Sequence, residues 1–160
     1  MSAEKPYRLP TNVTPERYEL KLTPDLTTWT FTGDERISIH VHKPVREIIL
    51  NAAELELHAV SLQTADGKVR EGRVNLDTEN ERATLSFGEP VPAGRGDLQI
   101  QFSGILNDKL HGFYRSTYKG ADGQDKPLAS TQFESTDARR ASVDSNCVDA
   151  SRFSSPFVSR

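Results

Sequence analysis

Ile37-Ser38-Ile39-His40-Val41-His42 alternates apolar and polar residues without a break. Successive side chains of a strand leave opposite faces, so this pattern sends Ile37, Ile39 and Val41 to a core and Ser38, His40 and His42 to water. Working outward, Tyr18, Leu20 and Leu22 alternate with Glu19 and Lys21, and Leu98, Ile100 and Phe102 alternate with Gln99 and Gln101. A helix would space its apolar residues three and four apart, and none of these segments does so.

Residues 45–50, 54–62, 69–76 and 83–87 read as further strands, and turn chemistry separates them. Pro24-Asp25, Asn51, Asp66-Gly67, Thr78-Glu79-Asn80 and Pro92-Ala93-Gly94-Arg95-Gly96 supply the breaks. Asp66-Gly67 is the clearest hairpin cue, since glycine supplies the positive φ of a tight turn. About seven to nine short strands at regular spacing predict an all-β fold, an antiparallel sandwich or saddle-like assembly of sheets. No internal repeat interrupts that pattern.

At 160 residues the chain suits one domain with its own core. Hydrophobic residues at 35% and charged residues at 27% fit a globular chain rather than a disordered one. A net charge of −3 with no block of Lys and Arg gives no electrostatic case for nucleic acid. No apolar run approaches the roughly 18–20 residues of a membrane-spanning helix. The amino-terminal residues lack the apolar core of a signal peptide, and Cys147 as sole cysteine excludes an internal disulfide. A cytoplasmic setting is the expectation, in which the sequon at Asn12-Val13-Thr14 goes unused.

After Gly104 the pattern changes. Residues 104–118 combine a loop with the aromatic residues Phe113, Tyr114 and Tyr118. Residues 119–127 read as a polar turn and 128–134 as a strand, after which Ser135, Thr136 and Asp137 offer helix caps before Ala138-Arg139-Arg140-Ala141. Residues 142–160 contain six serines and no sustained apolar period. The chain therefore divides into a β-domain, 1–141, and a divergent tail, 142–160, whose composition favours disorder.

Four groups of residues, in order, resemble zinc aminopeptidases of the aminopeptidase N and puromycin-sensitive group. Arg8-Leu9-Pro10 with Val13-Thr14-Pro15 and Tyr18–Leu22 resembles that family's entry strand. Phe31-Thr32-Gly33 before Ile37–Val41 is similar to its Phe-x-Gly turn and second strand. Gly104-Ile105-Leu106-Asn107-Asp108, followed by Gly112-Phe113-Tyr114-Arg115-Ser116 and Tyr118, is similar to its Gly-x-Leu-Asn-Asp and Gly-Phe-Tyr-Arg-Ser-x-Tyr motifs. Thr131-Gln132-Phe133-Glu134 with Asp137-Ala138-Arg139 resembles Thr-Gln-Phe-Glu-Pro-x-x-Ala-Arg, with Ser135 where the family has proline. The likeness spans about residues 7–141 and breaks at Ser142. The family's Gly-x-Met-Glu-Asn and His-Glu-x-x-His motifs and its catalytic tyrosine do not occur here.

The resemblance implies that Glu134 holds the α-ammonium of a peptide's amino terminus and that Gln132 lines the same subsite. Two residues apart on a strand, their side chains leave one face, and a carboxylate is the fitting partner for an ammonium. Read from spacing alone, the same pair is the solvated face of an ordinary strand. His40 and His42 also share a face, but no third ligand accompanies them, and zinc wants at least three from the protein. No metal ligand and no catalytic residue is assigned in this chain. Phe113, Tyr114 and Tyr118 read as packing against the sheet, or as an interface, ahead of a stacking platform.

The resemblance thus implies the amino-terminal domain of a zinc aminopeptidase, with the zinc and the hydrolytic chemistry on a catalytic domain absent from this sequence. Its partners would be that domain and a peptide amino terminus. A stand-alone β-sandwich that binds a partner without catalysis is the alternative the residues leave open.

Overall fold

The computed structural model describes residues 9–132 and 137–140. Nine strands follow in order: β1 Val13–Asp25, β2 Thr30–Val41, β3 Val45–Asn51, β4 Leu55–Thr64, β5 Val69–Asp77, β6 Arg82–Val91, β7 Gly94–Ile105, β8 Gly112–Lys119 and β9 Asp125–Gln132. A single 3-10 turn, Asp137–Arg140, comes after them. The all-β expectation holds. The strands form a seven-stranded antiparallel sheet in the order β1-β2-β7-β4-β5-β6-β3 and a separate β8-β9 hairpin.

The long sheet curls because β5 changes partner along its length. Its first residues, Val69 to Glu71, pair with β4, whereas Gly72 to Asp77 pair with β6. A strand shared in this way lets β5-β6-β3 fold back over β1-β2-β7-β4, and one core fills the space between. Ile37, Ile39, Val41, Leu62, Leu98, Ile100 and Phe102 enter it from one side, and Ile48, Leu50, Ala83, Leu85 and Phe87 from the other. The alternation in 37–42 therefore reads true: Ile37, Ile39 and Val41 are buried, His40 is half-buried and His42 is exposed.

The β4–β5 hairpin also forms as its sequence predicts. Gly67 takes φ 79°, its amide donates to the Thr64 carbonyl at 2.9 Å, and Asp66 Oδ1 accepts from the Lys68 amide at 3.1 Å.

Four readings need correction. Phe31-Thr32-Gly33 is not a turn but the start of β2, in full register with β7. Glycine is needed there because the Phe102 ring lies across the strand where a Cβ would stand. Residues 112–119, read as part of a loop, form β8, and the polar turn of 119–127 is shorter than expected because β9 already begins at Asp125. Ordinary ladder bonding sustains this two-stranded ribbon without an apolar alternation to announce it, and Pro127 is tolerated as an edge residue. Among the described residues, the helix anticipated after Asp137 is represented by a 3-10 turn, Asp137–Arg140. The 142–160 tail lies outside the described residues.

Candidate functional site

The motif Gly104-Ile105-Leu106-Asn107-Asp108 acts as a bracket for the hairpin. Asn107 Nδ2 donates to the His111 carbonyl at 2.9 Å, its Oδ1 accepts from the Lys109 amide at 2.8 Å, and its carbonyl accepts from the Arg115 amide at 2.8 Å. One side chain with a donor and an acceptor end thus holds both sides of the loop that leads into β8. Behind the loop, buried Phe113 meets Phe31 edge-on, with ring centroids 4.9 Å apart, and Phe31 meets Phe102 at 6.4 Å. This aromatic row couples the hairpin to the sandwich core. Beside it, the Arg115 guanidinium lies 5.4 Å over the Trp29 ring.

Register then fixes which side chains share a face. Gly112 pairs with Gln132, Phe113 with Thr131, Tyr114 with Ser130 and Ser116 with Leu128. Phe113 and Ala129 pack toward the core. By the period of two, Gln132, Ser130 and Leu128 share the opposite face with Tyr114 and Tyr118. Gln132 and Leu128 are exposed on that face, at the end of β9 and in its middle respectively. Glu134 lies outside the described residues, as does Cys147.

Downstream, the 3-10 turn is tied to the sandwich. Arg139 Nη1 meets Glu81 Oε2 at 3.1 Å, Arg140 Nη2 meets Glu81 Oε1 at 3.2 Å, and Arg140 Nη1 meets Glu54 Oε1 at 2.8 Å. Sequence reading singled out neither Glu54 nor Glu81, because nothing local marks a turn glutamate as the partner of an arginine so far along the chain.

The histidines do not gather. His42 Nε2 lies 3.0 Å from Thr14 Oγ1, and its ring stacks edge-on to His40 at 4.7 Å. His58 occupies a bulge in β4 and bonds Ser103 at 2.7 Å, while His111 Nδ1 donates to the Lys109 carbonyl at 3.2 Å. Among the described residues no three His, Cys, Asp or Glu side chains converge as a metal would require, so the donor set present does not fit zinc.

A concavity of about 670 Å³ on the outer face of β1, β2 and β7 is lined largely by charged residues, several of which pair with one another or with neighbours. Arg17 meets Glu19 at 3.1 Å, Arg36 meets Asp97 at 2.8 Å, and Gln101 donates to Asp34 at 3.1 Å. The hydrogen bond from Arg36 holds the Asp97 carboxyl below its ordinary value, aided by the Ser38 hydroxyl and opposed by partial burial. This is a self-paired surface rather than a chemical centre.

The architecture is therefore a curled antiparallel domain with a bracketed hairpin at one edge and a pinned 3-10 turn beyond it. A family model described as the Peptidase M1 N-terminal domain matches residues 14–157, and the chain belongs to that family. It is 44% identical to Aminopeptidase M1-A of Oryza sativa subsp. japonica and to Aminopeptidase M1 of Arabidopsis thaliana, each over 137 residues. Each match covers 83% of this chain and 16% of the plant protein. Aminopeptidase 2 of Candida albicans is 39% identical over 134 residues, which are 83% of this chain and 14% of the fungal one. The chain thus spans about one sixth of the length of the plant proteins it matches.

Proposed function

We propose that this domain forms one wall of the substrate site of a zinc aminopeptidase and supplies the anchor for the peptide's free amino terminus. The zinc and the hydrolytic groups would be carried by polypeptide outside this chain. The observation that supports this reading is the position of Gln132, exposed at the last pair of the β8–β9 ladder, where the strand hands over to the segment bearing Glu134. A carboxylate delivered from such an edge suits a substrate α-ammonium, because hydrogen bonds between charged groups are roughly twice as strong as neutral ones. Gln132, a neutral amide on the same edge, would contribute a weaker contact. The catalytic portion and the peptide amino terminus are then this domain's partners.

The deciding experiment substitutes Glu134→Ala in the full-length polypeptide. Loss of one hydrogen bond to a charged group predicts a fall in kcat/KM of about tenfold to over a hundredfold on free-amine substrates. Zinc content should stay unchanged, and Gln132→Ala should cost less. An efficiency that Glu134→Ala leaves within about twofold of the parent would return Glu134 to the solvated face of a strand.

A further inference from the structure

Two of the four non-glycine residues described with positive φ are Glu54, at 57°, and Glu81, at 52°. Each stands in a turn, between β3 and β4 and between β5 and β6 respectively. A glutamate in the left-handed region is disfavoured relative to glycine. Such an outlier is informative when the side chain it presents is used. Here both are.

The Glu81 carboxylate bridges two arginines, one oxygen to each, and Arg140 in turn bridges two glutamates through its two Nη atoms. The result is a continuous chain, Glu54–Arg140–Glu81–Arg139. Backbone bonds run parallel to it: the Ala52 amide donates to the Glu81 carbonyl and the Ala53 amide to the Arg139 carbonyl, both at 2.9 Å. The arginines are largely covered, with 17% and 21% of their side-chain surface exposed. A lysine would offer one nitrogen where Arg140 presents two, one to each carboxylate.

Both flanks of residues 133–136 are thus attached to the same body. The upstream flank ends in the Gly112–Gln132 pair of the hairpin, and the downstream flank is held by the arginine–glutamate chain. We propose that Glu81, assisted by Glu54, is a positioning residue that fixes the downstream flank of the segment carrying Glu134 and so sets the affinity for the substrate's amino terminus. This rests on the anchoring role proposed above for Glu134. Holding the flank in place before substrate arrives removes an ordering cost from binding.

Glu81→Gly is the informative variant. Glycine accepts the φ of 52° more readily than glutamate, so the turn and the fold are kept while the carboxylate is lost. In the full-length polypeptide, assayed on leucyl p-nitroanilide, KM should rise about three- to tenfold with kcat within about twofold of the parent. Glu81→Gln, which keeps one acceptor for an arginine, should fall between. Amide exchange at 137–140 should quicken in Glu81→Gly while the thermal midpoint is maintained.

Glu134→Gln, run alongside, separates the two ideas. If it raises KM and Glu81→Gly does not, the tether is wrong and the anchor stands. If Glu134→Gln leaves KM unchanged, the anchor is wrong; quickened exchange at 137–140 would then retain the tether as an ordering device, and unaltered exchange would overturn it too.

Discussion

Phe31 and Gly104 face each other across the β2–β7 ladder, and the Phe31 ring fills the space a side chain at 104 would take. A Cβ placed on Gly104 would stand 2.5 Å from Phe31 Cζ and 3.1 Å from Leu55 Cδ2. Two residues along, the arrangement is mirrored, with Phe102 over Gly33. Each ring covers the glycine of the opposite strand, and the two rings meet edge-on in one aromatic layer. Phe113 then docks on Phe31, so the same layer carries the hairpin.

Gly104→Val should therefore loosen the hairpin as well as the core. Overpacking of a filled site costs about 1–3 kcal/mol, and Phe31 cannot yield without losing Phe113. Urea titration of this chain should show a lower midpoint with little change in slope. Phe113→Ala, which removes a buried ring outright, should cost about 3–5 kcal/mol. A Gly104→Val protein as stable as the parent would mean that the ring stack repacks freely.

Much of this architecture was legible in the residues, and the illegible part has a definite cause. β2, β6 and β7 each bury one face on the common core, so their sequences alternate. β8 shows no clean alternation, since Phe113 alone goes deep while Tyr114, Arg115 and Ser116 sit half-buried. Its pairing with β9 depends on backbone bonds that any sequence can make. The partner change at β5 and the reach of Glu81 to Arg139 are likewise tertiary facts, set by which turns meet at one end of the fold. At the candidate site, Gln132 falls on the strand where its spacing placed it, whereas the device holding the next segment left no local signature.

Asp97 gives the fold an acid-sensitive pair. Its carboxyl is held below the ordinary value by Arg36 first and by Ser38 second, across a β2–β7 register that pairs Ser38 with Asp97. A depressed folded-state pKa contributes stability above the unfolded value, near pH 4, and loses it as pH falls through the folded value. Asp97→Asn should thus lower the stability near pH 7 by at most about 1 kcal/mol, because the pair is partly exposed. It should also flatten the fall below about pH 4. Chemical denaturation at pH 7 and pH 3 checks both, and an unchanged acid slope would remove the pair from the account.

Asn107 should matter out of proportion to its size. Asn107→Ala removes the Nδ2 donor and the Oδ1 acceptor that bracket the 107–111 loop, leaving the His111 carbonyl and the Lys109 amide to water. Of these bonds the first is part-buried and the second exposed, and such bonds contribute about 1 kcal/mol each at most, so a loss of about 1–2 kcal/mol is expected. Leu110 at φ 60° and Gly112 at φ 69° take left-handed backbone within and just after that loop. Amide exchange in β8 should quicken before exchange in β2 or β7 does. Equal quickening throughout would show that the loop and the sandwich open as one unit.

The hairpin end also carries an uncovered apolar surface. Ile105 is 72% exposed, Leu110 59%, Tyr118 50% and Leu128 42%, and all four belong to β7's end, the bracketed loop or the hairpin. Exposed apolar side chains at and beside the hairpin are candidates for cover by a partner, and the polypeptide beyond this domain in the longer relatives is one. Expressed alone, the 160-residue chain should self-associate reversibly at high concentration. Replacing Ile105 and Leu128 together by threonine keeps β-propensity while removing apolar area, and should weaken self-association about tenfold or more. Sedimentation velocity over a concentration series reads the effect directly, and the thermal midpoint should hold because both residues already face water. A parent chain that stays monomeric throughout, with no binding of a hydrophobic dye, would mark the surface as one the domain tolerates in solvent and would remove the case for a docking face.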